Sequence, residues 1–302
     1  MFKSITIYTF AKDWSRPGSA AMEAALKKNK FAPLGATEKE SIGWVSPRPQ
    51  DHSPLLEVIN GQWILKLQVE SKSVPAGALK KAVDAKCKTI ETETGRKVGR
   101  KEKKEIKAEV EIQLLPRAFA KTGATMVWLD VTNGWLVVGS ASKRAADDVV
   151  KAILSACQEA GSIIPLESLI TERSPSNAMS QWLLDKEPPA GFTVDRDLEL
   201  RQPNEEKAAV KYSRHNLEID EVVDHIKAGK VPTQVAMTWN SRVSFTLCSD
   251  LSLKKIEPLE EVFADTTEED FGFDGDVTIH TGELSKLIPD LIEVLGGVLV
   301  RE

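Results

Sequence analysis

The sequence predicts an α+β fold: antiparallel sheets with packed helices in two similar halves, plus a projecting basic helical hairpin. Three observations predict it. Short β-prone runs are joined by tight turns at Asn60-Gly61, Asn133-Gly134 and Asn240-Ser241. Each half of the chain then passes from a strand pair to a helical stripe. Between the first strands and the next, Lys72 to Lys121 changes to a helical period and a different charge. It holds 14 Lys and Arg against 7 Asp and Glu, a net +7 in a chain whose total is −5, so the rest sums to −12. Such polarity suits a surface that meets a polyanion, backed by a body that repels one.

Taken in order, Ile5, Ile7, Tyr8 and Phe10 mark a first strand, and an Ala-rich helix follows Pro17-Gly18 as far as Lys30. Gly43-Trp44-Val45 reads as a strand ending in a loop stiffened by Pro47 and Pro49. From Gln62 to Glu70, Trp63, Leu65, Leu67 and Val69 alternate with polar residues except Ile64, which buries one face of that strand. In the basic segment, Leu79, Val83, Cys87 and Ile90 make one narrow stripe; Ile106, Val110 and Leu114 make another. Gly95 and Gly99 bracket the turn between them, and Pro75 and Pro116 bound the pair. Two helices, at roughly 77–94 and 100–115, therefore zip to each other as an arm with little left to bury elsewhere.

Beyond the arm, the runs Met126–Val131 and Trp135–Gly139 form a hairpin. Ser142 is placed to cap a helix striped by Ala146, Val149, Val150, Ile153 and Cys157, which ends near Gly161. Ser162 to Leu166 is expected as a strand. Pro175, Pro188, Pro189, Gly191 and Pro203 interrupt the next stretch, where the main boundary is placed. The second half reads as a helix Leu217–Ala228 stopped by Gly229, a hairpin from Val235–Trp239 and Val243–Cys248, a strand Val277–His280 and a helix Gly282–Leu295. The expected organisation is an N-terminal body of residues 1–74 and 117–170, the arm at 75–116, an irregular connecting region at 171–215 and a C-terminal body at 216–302.

Several chemistries find no support. No glycine-rich phosphate loop with its Lys and Ser/Thr is present, and no Gly-x-Ser-x-Gly elbow. Four histidines, at 52, 215, 225 and 280, lack metal-ligand spacing. Cys87, Cys157 and Cys248 sit in apolar patterns as buried thiols. Glu268-Glu269-Asp270 with Asp274 and Asp276 is the one carboxylate cluster that offers oxygen ligands to Mg²⁺, but its glycine-flanked setting suits a solvated loop. The expectation is a protein that is not an enzyme and needs no cofactor or metal. No apolar run is long enough to span a bilayer, and the first ten residues are too short and strand-like for a signal peptide, so a cytoplasmic protein is expected.

On charge alone, the candidates for a polyanion are Arg96, Lys97, Arg100, Lys101, Lys103 and Lys104 of the arm, then Arg117 and Lys121 just past it. The alternative is that the tip charges pair with the acidic surface of a partner subunit. Phe119, between Ala118 and Ala120 and just past a helix stop, reads either as core filler or as an aromatic anchor of a dimer contact.

These landmarks in this order resemble the bacterial RdgC family of recombination-associated proteins over nearly the whole chain. The residues that carry the resemblance are Gly43-Trp44-Val45, Asn60-Gly61-Gln62, Leu114-Leu115-Pro116-Arg117-Ala118-Phe119 and Asn133-Gly134. In the second half they are His225 to Lys230, Trp239 with Arg242, Ser252-Leu253-Lys254, and Thr281-Gly282-Glu283-Leu284 running to Gly296-Gly297. Residues 171–215 hold the fewest landmarks, and no role is carried onto them. The resemblance implies a homodimer closed into a ring through two interfaces, a positively lined hole that holds duplex DNA without reading sequence, association with the nucleoid, and antagonism toward RecA-dependent strand exchange. It extends the binding to single-stranded DNA and adds Lys227, Lys230, Arg242, Lys254 and Lys255 to the DNA-binding candidates, with Phe119 at the dimer interface. Two other classes compete with the clamp: a protein-interaction module docking directly on a recombinase, and a Mg²⁺-dependent nuclease.

Overall fold

The computed structural model describes residues 1–50, 52–204, 208–263 and 272–299. Two compact units share the chain: one of Met1–Leu26, Ser46–Leu65 and Thr125–Glu302, the other of Lys27–Val45 and Lys66–Ala124. Strands β4 (Gln62–Lys72) and β5 (Ala120–Asp130) each run from one unit into the other.

The larger unit is built on an antiparallel sheet whose order is β4, β5, β6 (Trp135–Val138), β1 (Ser4–Thr9), β12 (Leu253–Pro258), β11 (Val243–Cys248), β10 (Val231–Trp239), β8 (Phe192–Arg201) and β9 (Ala209–Tyr212). The short β3 (Glu57–Ile59) pairs with β4, and β7 (Glu167–Ser168) pairs with β1. Strand β1 is the stitch. Its first two residues pair with β12, Ile5 opposite Leu253, and its last four pair with β6, Ile7 opposite Val137. All four of those side chains are buried, so a one-residue slip would turn them out of the core.

Helices α5 (Pro175–Asp185) and α8 (Phe273–Val294) supply the other side of the core. Ala178, Met179, Trp182 and Leu183 of the first, and Val277, Leu284, Leu287, Ile288 and Leu291 of the second, join sheet residues such as Met237, Phe245 and Leu247 in one cluster. Polar clamps fix α8 to the β10–β11 hairpin: Trp239 Nε1 donates to Asp290 Oδ2 at 2.8 Å, and Arg242 reaches Glu283 through both Nε and Nη2, at 2.8 and 2.7 Å. Helices α1 (Ser19–Lys28), α4 (Lys143–Glu159), α6 (Asp220–Lys227) and the short α7 (Glu260–Phe263) complete the set outside the arm.

Three expectations are corrected. Val277–His280 is not a strand, because α8 runs unbroken through it. The β-looking tetrapeptide belongs to a stripe of Val277, Thr281, Leu284 and Ile288 at helical spacing, all buried, and Gly275 and Gly282 are tolerated inside the helix. Ser162–Leu166 is irregular, and only Glu167–Ser168 joins the sheet; Pro165 cannot donate to a ladder. Residues 171–215 are not an irregular connector, since they hold α5, β8 and β9. Pro175 there opens a helix at its first position rather than breaking one, with the Ser174 side chain accepting from Asn177 N at 3.3 Å.

The smaller unit contains β2 (Glu40–Val45), which pairs with Lys66–Ser71 of β4, and the arm. Gly43 is required there: a Cβ would lie 2.4 Å from the Phe31 backbone. The arm is α2 (Ala76–Thr94) and α3 (Arg100–Leu114), close to the boundaries read from the sequence, followed by a single 3₁₀ turn at Leu115–Arg117.

Candidate nucleic-acid interface

The arm is held by its seam. Leu79, Val83 and Cys87 of α2 meet Ile106 and Val110 of α3, with Ile90, Val98 and Leu114 packed at the ends. Gly95 takes the left-handed conformation that closes α2, φ 67°, and its N–H donates to Glu91 O at 3.0 Å. Glu91 Oε1 also accepts from Val98 N at 3.1 Å, which ties the loop back to the helix. Burying an aliphatic side chain of this size stabilises by about 1.5–3 kcal/mol. The ion pairs across the hairpin are solvent-exposed and add little beside that.

Those pairs nevertheless sort the candidate residues. Arg96 grips Glu102 with both terminal nitrogens, at 2.7 and 2.9 Å. That contact holds the guanidinium above its ordinary value and the Glu102 carboxyl below the usual carboxylate range. Lys103 Nζ bonds Asp84 Oδ1 at 2.9 Å, which likewise depresses Asp84. Lys97, Arg100, Lys101 and Lys104 are exposed and form no ion pair among the described residues. Arg117 is exposed in the 3₁₀ turn, and Lys121 lies in the exposed first half of β5. Between them Phe119 is 96% exposed, so it is not core filler in this chain.

The candidates of the second half lie in the larger unit and are more constrained. Arg242 is committed to Glu283, and Lys255, at φ 50°, bonds Asp197 Oδ2 at 3.0 Å. Lys254 is half-buried in β12. Lys227 is exposed at the end of α6, while Lys230 Nζ sits 3.2 Å from His225 Nδ1. The structure thus brings together the arm residues at one hairpin tip, and separately Lys227 and Lys230 around one helix end. The candidates chosen from the sequence did not include Lys80, Lys81, Lys88 and Lys107, which are exposed along the arm. The signal that could have found them is helical spacing: Lys88 stands seven after Lys81 on α2, and Lys107 stands seven, four and three after Arg100, Lys103 and Lys104 on α3.

No group of three His, Cys, Asp or Glu residues able to hold a metal occurs among the described residues. Asp274 is engaged by Arg48, which also reaches Glu57 at 2.8 Å and lies over the Phe273 ring at 4.8 Å. Asp276 stands in the first turn of α8, and Glu268, Glu269 and Asp270 lie outside the described residues. No described helix is long and apolar enough to cross a membrane.

Fold and site together define a mixed α/β protein organised on a large antiparallel sheet and carrying a basic helical-hairpin arm. The chain belongs to the RdgC family, whose model, described as "Putative exonuclease, RdgC", matches residues 1–298. Similar proteins named "Recombination-associated protein RdgC" come from Herminiimonas arsenicoxydans, 41% identical over 300 residues and 98% of each chain, and from Janthinobacterium sp. (strain Marseille), 41% identical over 305 residues, 100% of this chain and 99% of the relative. A third, from Bordetella pertussis, is 38% identical over 300 residues and 98% of each chain.

Proposed function

We propose that this protein is a non-enzymatic, sequence-indifferent binder of duplex DNA that closes around it as a homodimeric ring and thereby limits RecA-dependent strand exchange at the nucleoid. The observation that carries the reading is the arm: exposed lysines and arginines without ion-pair partners among the described residues, on a rigid hairpin, in a chain of net charge −5. Cations of this kind neutralise phosphates and release condensed counterions, which gives affinity without base readout. Single-stranded DNA is bound by the same term with a shallower salt dependence. The exposed Phe119 supports a second copy as partner, because an aromatic ring left in water at a surface is a ready anchor for an interface.

The test is fluorescence anisotropy of a labelled random-sequence duplex titrated at several salt concentrations. The expected result is binding indifferent to sequence whose log–log salt slope corresponds to roughly five or more neutralised phosphates. No binding at low salt overturns the reading and favours direct docking on a recombinase. The description of the family model as a putative exonuclease motivates a second reading, hydrolysis of DNA ends with Mg²⁺. It predicts mononucleotide release from a labelled duplex that Asp274→Asn or Asp276→Asn abolishes; an intact duplex after prolonged incubation with Mg²⁺ removes it.

A further inference from the structure

Which side of the arm meets the phosphates follows from its two inter-helix ion pairs and the helical repeat. Asp84 with Lys103 marks one flank of the hairpin, and Lys86 with Glu109, at 2.5 Å, marks the other. Residues three, four and seven positions away share a flank. On α2, Lys80, Lys81 and Lys88 therefore line up with Asp84; on α3, Arg100, Lys104 and Lys107 make the neighbouring strip that Lys103 begins. All six are exposed. The carboxylates on that side are Asp84, bonded to Lys103, Glu91, bonded to Val98 N, and Glu111, bonded to Lys39 at 2.8 Å.

The opposite flank has the reverse sign. Glu105 and Glu102 stand four and seven residues before Glu109, and Glu93 stands seven after Lys86. Of its cations, Lys86 and Arg96 are taken up by carboxylates of the same flank, and Lys101 stands four residues before Glu105. The arm thus carries seven cations against three carboxylates on one side and three against four on the other, with Lys97 in the turn between the helices. A helix pair with charge distributed evenly would show no such split, and solvation alone does not require one.

We infer that the arm is a one-sided phosphate rail: the Lys80, Lys81, Lys88, Arg100, Lys104, Lys107 flank lies along a nucleic-acid backbone while the Glu93, Glu102, Glu105, Glu109 flank faces away from it. This rests on the duplex-binding reading above and adds an orientation to it. From Lys81 to Lys88 the rail rises about 10 Å, and from Arg100 to Lys107 about the same, so it offers two parallel rows of cations to successive phosphates. The acidic flank sets the direction, because turning the arm over would place four carboxylates against the same phosphates.

The experiment uses the full chain and compares two sets of substitutions at matched helicity and thermal midpoint. In the first set, Lys81→Gln, Lys88→Gln, Lys104→Gln and Lys107→Gln are combined; in the second, Glu93→Lys and Glu105→Lys. Duplex binding is read by anisotropy between 50 and 200 mM salt, conditions over which such contacts are strongly resolved. The first set is expected to lower the magnitude of the log–log salt slope by about 3 to 4, at about 0.9 per lost phosphate contact, and the second to leave it unchanged. A first set with the wild-type slope overturns the rail, as does a second set whose slope steepens by about 2, which would mean that either flank serves. If the wild-type protein does not bind duplex at all, the proposed function fails and the rail with it; wild-type binding with an insensitive first set removes the rail alone.

Discussion

The arm and the body treat the same side chains in opposite ways. In the body, cations beside the sheet are answered by carboxylates: Arg242 by Glu283, Lys255 by Asp197, and Lys211 by Glu199, the last at 2.8 Å. Glu283 and Glu199 are themselves buried to within 7% and 6%, so these pairs are parts of the fold. In the arm most lysines and arginines point into water, and two of the pairs that do form join one helix to its neighbour. A buried ion is tolerated only with a partner, whereas an exposed cation is free to exchange water for a phosphate. The difference teaches that the net charge of a chain says less about its ligands than which charges the fold has already spent.

The sharpest way to test the separation is to make one substitution twice. Leu287→Ala, in α8 with no exposure, is expected to lower the free energy of global unfolding by about 2–5 kcal/mol. Leu79→Ala, in the arm seam, removes the same atoms from a cluster of five buried residues. It is expected to open the amides of Ala76–Leu114 in hydrogen exchange while moving the main denaturant transition by less than about 1 kcal/mol. Equal shifts of the main transition by both would mean that arm and body unfold as one cooperative unit.

A second contrast concerns protons. His280 is half-buried in α8 beside Phe2, and burial, aided by the positive Met1 amine 2.7 Å from its Nε2, pushes its pKa down to about 4 despite Asp276 nearby. The unfolded imidazole takes a proton near pH 6.5 and the folded one only near 4. Protonation therefore favours the unfolded chain as pH falls from 6.5 toward 4, and stability is lost in that window by about 3 kcal/mol. His280→Gln is expected to remove that component, so that the wild type loses its advantage over the variant as the pH is lowered. Parallel stability curves for the two proteins between pH 7 and 4 would show that His280 is not the responsible group. The arm carries no histidine, and its helicity is expected to change little over the same range.

Legibility in the sequence followed the same division. The arm was readable almost to the residue, because a two-helix hairpin with a single seam is governed by local rules: apolar spacing, Gly95 and the flanking prolines. The hairpins at Asn60-Gly61 and Asn133-Gly134 were equally local. The order of the sheet was not legible. Nothing in Ser4–Thr9 announces that one strand divides its length between β12 and β6, from parts of the sequence more than a hundred residues apart. Val277–His280 misled because a β-branched run was weighed by composition, while the stripe that fixed it extends to Leu291. In the site, the family resemblance nominated Arg242 and Lys255 as candidates, but only the fold shows Glu283 and Asp197 holding them.

The smallest effect on stability is expected at the most exposed apolar residue. Phe119 has 96% of its surface in water, so Phe119→Ser should change the unfolding free energy of the isolated chain by less than about 0.5 kcal/mol. Its effect belongs to assembly. If the ring is closed in part by Phe119 entering a second copy, burial of each ring contributes about 1.5–3 kcal/mol, and a symmetric contact buries two. Sedimentation velocity is then expected to show the dimer dissociating at concentrations at least tenfold higher than for the wild type, with faster release of a closed circular duplex and an unaltered thermal midpoint. A variant that remains dimeric at the same dilution and retains the circle as long would make Phe119 a bystander. A variant whose midpoint falls by several degrees would instead return it to the interior of its own subunit, against its exposure in the structure.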